Sequence, residues 1–172
     1  GIAALAPAFL AACDAFDHAD SVARGAAIVA TKESDDVRAA FAPLVRRYEG
    51  ARAELLVRLG VPFPAVASGT PPEAVIAAAE AVEQLLAGHE GEDWAAAVLG
   101  ALGPSLDAAI REQEEDYVAR RALRRAELAR EQAACALRPV LIAMRRAVRA
   151  AYGRGSREYR ELRDPMPTEA GL

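Results

Sequence analysis

Few side chains in this sequence are of a type and spacing that could do acid–base chemistry. Asp14, His18 and Ser21 fall at i, i+4 and i+7, so on a helix they share one face. An acid, a base and a hydroxyl in a row suggest hydrolysis. A nucleophilic triad, however, needs strict mutual geometry and an oxyanion hole, usually with the nucleophile on a sharp turn. A straight helix surface supplies neither, so these three are expected to form a solvated polar face. His89, Glu90, Glu92 and Asp93 are a second cluster, of residue types that hold divalent ions. Their spacing matches no EF-hand loop, and Glu92 and Asp93 already suit a helix N-terminus, where the backbone dipole favours acids. A ferritin-like di-iron site needs inward glutamates and Glu-x-x-His pairs. Here the residues three before His18 and His89 are Ala15 and Leu86. There is no Cys-x-x-Cys-His for covalent haem. The sequence therefore predicts no catalytic residue, no metal site, no cofactor and no enzymatic activity.

Charge is the more informative pattern. Residues 1–116 carry 8 basic and 19 acidic side chains, a net of −11, and residues 117–172 carry 13 and 6, a net of +7. The acids Glu112, Glu114, Glu115 and Asp116 are followed by Arg120, Arg121, Arg124 and Arg125. Arg111 with Glu115, and Asp116 with Arg120, are favourable i, i+4 pairs, whereas Arg120 with Arg124 and Arg121 with Arg125 are like-charged. Like charges at this spacing call for an acidic partner. Arg120, Arg121, Arg124, Arg125, Arg145, Arg146 and Arg149 are thus the candidate partner-binding residues. Acidic helices of the same bundle, or of a protein partner, are the expected match. Nucleic acid is not, because phosphate binders are usually net basic with aromatic stacking groups; this chain has a pI near 5.3 and only Tyr117 nearby.

The 53% apolar content is less core than it suggests, since 43 residues are alanine, the best helix former and the weakest core filler. Arginine outnumbers lysine twenty to one, Lys32 being the single lysine. Together with abundant Ala, Gly and Pro this points to GC-rich codons and a bacterial source. Cys13 and Cys135 match no metal or redox spacing and lie among apolar residues, so two buried free thiols in a reducing cytoplasm are expected. No run of about 18 uncharged apolar residues occurs, so no transmembrane segment is expected, nor, without a basic leader, a signal peptide.

Helical periodicity runs through the chain. Leu5, Phe9, Ala12, Phe16, Ala19 and Ala23 form the stripe of a first helix over 2–30. Ser34 is placed to cap a second, with the stripe Val37, Phe41, Leu44, Tyr48, Ala51, Leu55 and Leu59, interrupted by Pro43 and ended by Gly60. Residues 61–69 are a proline-punctuated linker. Thr70-Pro71-Pro72-Glu73 is a start signal for a third helix carrying Val75, Ala79, Val82 and Leu86 inward and stopping at Gly88. A short helix from Trp94 to Leu102 is expected to break at Gly103-Pro104. Ser105 would then cap the longest helix, 106–152, kinked or split near Pro139 and ended by Gly153.

Tyr152-Gly153-Arg154-Gly155-Ser156-Arg157-Glu158-Tyr159 resembles the aromatic-Gly-x-x-Ser-x-Glu-Tyr phrase near the C-terminus of some uncharacterised bacterial helical proteins. The resemblance implies no activity. Physically the phrase is a helix stop followed by a helix start.

The fold expected is all-α: an antiparallel bundle of four main helices with a short extra helix, one domain over 1–163 and a disordered tail over 164–172. The core expected is Phe9, Phe16, Phe41, Leu44, Tyr48, Leu55, Val82, Leu86, Leu137, Leu141, Met144 and Val148. The function expected is a structural or protein-interaction module that self-associates as a homo-oligomer. One alternative is a binding module that lays its arginine-rich last helix on nucleic acid or an anionic membrane. The other is an enzyme or small-molecule binder whose site is assembled from scattered residues.

Overall fold

A computed structural model describes residues 1–67 and 69–163. Among these the chain is all helical: α1 (Ile2–Leu59), α2 (Pro72–Leu86), one 3₁₀ turn (Ala87–His89), α3 (Asp93–Tyr152) and α4 (Arg157–Arg163). The all-α class holds. The division into helices differs from the one the sequence suggests, because two expected breaks do not occur.

The first is at Ser34, which caps nothing. Its hydroxyl oxygen lies 2.9 Å from the Ala30 carbonyl oxygen one turn back, and α1 runs on. The segment 31–36 contains neither glycine nor proline, so nothing in it obliges the backbone to leave the helix. Pro43 is also inside α1; its ring costs the Ala39 carbonyl its i+4 donor, yet the helix continues. The second is at Gly103-Pro104, where α3 also continues, so Ser105 is an interior residue. Leu102 and Leu106, on either side, are 0% and 2% exposed. Ending the helix between them would expose both, and tertiary burial outweighs local propensity. Pro139 likewise does not split α3; buried Leu137 precedes it and half-buried Val140 and Leu141 follow.

Other punctuation falls where expected. Gly60 (φ +68°) closes α1 with its N–H donating to Leu56, and Gly153 (φ +84°) closes α3 with its N–H donating to Arg149. Ser156 caps α4, its hydroxyl accepting from the Tyr159 N–H at 3.1 Å. The start of α2 is one residue later than the signal suggested. Pro71 occupies the cap position, Pro72 opens the helix, and the Thr70 hydroxyl donates to Ala67 instead. The linker after α1 is held at two points. The Tyr48 hydroxyl donates to the Pro64 carbonyl at 2.6 Å, and a Glu49 carboxylate oxygen accepts from the Val66 N–H at 2.9 Å.

The chain forms two compact units, whose boundaries fall inside α1 and α3. One comprises Ile28–Arg121. Its core joins the end of α1 (Leu44, Tyr48, Ala51, Leu55), the inward face of α2 (Val75, Ile76, Ala79, Val82, Leu86) and the start of α3 (Ala95, Leu102, Leu106, Ala109). The other comprises Gly1–Ala27 and the described part of Ala122–Leu172. Its buried residues are Ala23, Ala126, Leu137, Met144 and Val148. Phe9, Phe16, Phe41 and Leu141, expected in the core, are only half-buried. The tail expected over 164–172 lies outside the described residues.

Candidate interaction surface

In the unit of residues 28–121, α1 and α3 are joined by a polar clasp that sequence reasoning missed. The Ser34 hydroxyl donates to Asp116 Oδ1 at 2.8 Å, and Arg120 donates through Nε to Asp116 Oδ2 at 2.6 Å and through Nη2 to Ser34 Oγ at 3.0 Å. The Asp116–Arg120 pair was legible from its i, i+4 spacing; the serine was not, because it comes from a helix 82 residues earlier. One turn away, carboxylate oxygens of Glu33, Glu112 and Glu115 lie within 4.8 Å of one another. Glu33 also pairs with Lys32 at 3.7 Å, and Glu112 with Arg111 at 3.1 Å, which replaces the expected Arg111–Glu115 pair. The only advance signal for the cluster was the i, i+3 spacing of Glu112 and Glu115.

The two clusters weighed for chemistry are surface groups. Asp14, His18 and Ser21 are all exposed, and no hydrogen bond among the described residues joins them. In the loop before α3, His89 Nδ1 lies 3.1 Å from Glu92, whose carboxylate also accepts from the Trp94 indole. These two bonds, the indole's first, hold the Glu92 carboxyl below its ordinary value. The histidine and indole rings are 6.1 Å apart and tilted. Glu90 and Asp93 do not join this contact.

The seven candidate arginines divide by position. Arg120 is engaged in the clasp. Arg121 is stacked over the Tyr117 ring at 5.7 Å. Arg145 is half-buried, its guanidinium donating to the Leu162 carbonyl at 2.5 Å and so fastening α4 onto α3. The remaining four, Arg124, Arg125, Arg146 and Arg149, are exposed and have no ion pair among the described residues, and Arg138 is in the same position.

These five lie on one side of α3. Within residues 122–152 the helix buries Ala126, Leu137, Met144 and Val148. The opposite side carries a second stripe at alternating three- and four-residue steps: Arg125, Leu128, Gln132, Cys135, Pro139, Ile142, Arg146 and Arg149, every one exposed. Leu128 is 55% and Ile142 42% exposed. The stripe is apolar at its centre and basic at its ends. Cys135, expected to be a buried thiol, is exposed on it, because three- and four-residue steps from Leu137 carry the buried face past position 135. Cys13 is half-buried, and burial, then Asp17 and Asp14, raise its thiol above the ordinary range.

Comparison of the chain with protein families, with curated proteins and with solved structures returns no match.

Proposed function

We propose that the chain is a non-enzymatic protein-interaction module whose docking face is the exposed side of α3 over residues 122–152. The observation that carries this reading is the set of five exposed arginines without ion pairs, arranged around exposed Leu128 and Ile142. Interfaces of moderate affinity are built this way, with an apolar centre for burial and a charged rim that steers and orients the partner. The partner that fits is an acidic, amphipathic helix. Within the unit of residues 28–121, we read the course of α1 and α3 as antiparallel. That course is supported by Ser34 standing beside Asp116 while Arg58, later in α1, acts on Glu92, earlier in the chain than Asp116.

Photo-crosslinking tests the reading. A benzophenone side chain at Leu128 or Ile142 should crosslink to polypeptide in cells, one at Gln84 on α2 should not, and Arg124→Glu/Arg125→Glu should abolish the crosslinks. Absence of any polypeptide crosslink from either α3 position would overturn it.

Attachment to an anionic membrane is the second reading. It is favoured by the arginines interleaved with Leu128 and Ile142, and by an 18-residue stretch near the start of α1 with mean hydropathy 1.3, little of it buried. Co-sedimentation with phosphatidylserine vesicles but not with phosphatidylcholine vesicles would favour this reading.

A further inference from the structure

We infer that the partner seated on α3 is a second copy of this chain, which offers the exposed side of its α1. The inference rests on the reading of α3 as a docking face and names what covers it. Within the same unit, α1 presents Leu10, Asp14, Asp17 and Ser21 at steps of four, three and four residues, all exposed. Leu10 is 60% exposed. Its charge is opposite to that of α3, where exposed Arg138 and Arg146 flank exposed Ile142: Asp14 and Asp17 match the arginines and Leu10 the isoleucine.

Charge decides between partners. Over residues 1–27 the side chains are Asp14, Asp17, Asp20 and Arg24, a net of −2. Over residues 122–152 there are seven arginines and two glutamates, a net of +5. Asp20 is already engaged with Arg24 at 2.5 Å and Arg130 at 3.7 Å. Asp14 and Asp17 have no ion pair among the described residues, and neither have Arg124, Arg125, Arg138, Arg146 and Arg149 on α3. Each copy thus carries an unsatisfied acidic stripe and an unsatisfied basic stripe. A two-fold dimer in which each α1 lies against the other copy's α3 satisfies both stripes twice and closes on itself. An anionic surface would satisfy the arginines alone and leave Asp14 and Asp17 unmatched.

Sedimentation of the full chain is the first test. It should show a reversible monomer–dimer equilibrium at tens of micromolar, weakened about tenfold or more by raising salt from 50 to 500 mM, since exposed ion pairs are screened. The decisive test is a charge swap. Asp14→Arg/Asp17→Arg should be monomeric, and so should Arg138→Glu/Arg146→Glu. An equimolar mixture of the two should recover the dimer, because each altered stripe then meets its opposite. Circular dichroism checks that both variants keep their helix content. A wild-type chain that is monomeric throughout, or a mixture of two folded variants that stays monomeric, overturns the inference. Crosslinks from Leu128 or Ile142 to a different protein, with the chain itself monomeric, would overturn it while leaving the interaction module in place. Binding of the monomer to phosphatidylserine vesicles alone would overturn both.

Discussion

Tyr48 is a residue whose role is double. Its ring is fully buried among Leu44, Leu55 and α2, and its hydroxyl holds the linker through the Pro64 carbonyl. Tyr48→Phe keeps the packing and removes only that bond, so it should cost about 1–2 kcal/mol; Tyr48→Ala adds a cavity and should cost about 3–5 kcal/mol. Urea denaturation compares them, and a Tyr48→Phe loss as large as the alanine loss would mean that the linker, not the ring, is what matters. Two glutamates of the same unit carry opposite pH signatures. The Val66 N–H, then Arg52, hold Glu49 below its ordinary value of 4.5. Its ionised form therefore stabilises the fold above that value, and the contribution is lost as pH falls through the depressed folded pKa. Glu83 is pushed above 4.5 by burial, then by Asp107 and Glu80. Its ionised form costs stability at neutral pH, and the cost disappears as pH falls through the raised folded pKa. Hence Glu49→Gln should destabilise at pH 7 and Glu83→Gln should stabilise, with both differences fading in acid. Melting temperatures measured from pH 7 to pH 3 would show the two trends; same-sign effects at pH 7 would contradict this account.

At the scale of elements, what was legible follows from what the physics of each signal requires. Helix content was legible because alanine, leucine and arginine favour helices wherever they stand. The ends at Gly60, Gly153 and Ser156 were legible because a left-handed residue and a capping hydroxyl act locally. The inward face of α2 was legible from its four-residue stripe. The continuity of α1 through Ser34 and of α3 through Pro104 was not, because those outcomes depend on burial of Leu102 and Leu106 and on contacts between segments distant in sequence. The buried alanines Ala30, Ala119 and Ala126 were missed for the same reason: alanine is compatible with either side of a helix, and only a close-packed neighbour decides which. The candidate surface was half legible. The sequence marked the arginines, but which were consumed by Asp116, Tyr117 and Leu162 could only come from three dimensions. Continuity of the long helices gives a test. Gly25, Gly50 and Gly100 are exposed within helices, and a methyl group at each would meet nothing within 4 Å. Each change to alanine should stabilise by about 0.5–1 kcal/mol. Gly103→Ala should give less, because its methyl group would come within 3.2 Å of a Glu83 carboxylate oxygen. Thermal denaturation ranks them. A loss of stability at Gly25, Gly50 or Gly100 would show that the helix does not persist there.

At the scale of the whole molecule, stability is unevenly distributed between the two units. Of the large side chains that are fully buried among the described residues, Leu44, Tyr48, Leu55, Val82, Leu86 and Leu102 belong to residues 28–121, and Leu137 to the other unit. A fully buried leucine contributes about 1.5–3 kcal/mol relative to an exposed one, so residues 1–27 and 122–152 hold fewer of the contacts that resist local opening. Segments with few buried apolar contacts open below the global unfolding free energy. Native-state hydrogen exchange on dilute protein should therefore find a sub-global step. Amides of 1–27 and 122–152 should exchange at a lower free energy than those of α2 and residues 44–55. Leu137→Ala should lower the first set by about 2–5 kcal/mol while leaving the second nearly unchanged. Leu44→Ala should lower both, because unfolding of the better-packed unit exposes the rest of the chain as well. If the exposed stripes of α1 and α3 pair between copies, raising the protein concentration should protect the first set selectively, since association stabilises only the state that binds. A single opening free energy shared by every slow amide, with the Leu137→Ala loss spread evenly over the chain, would show instead that the two units unfold as one.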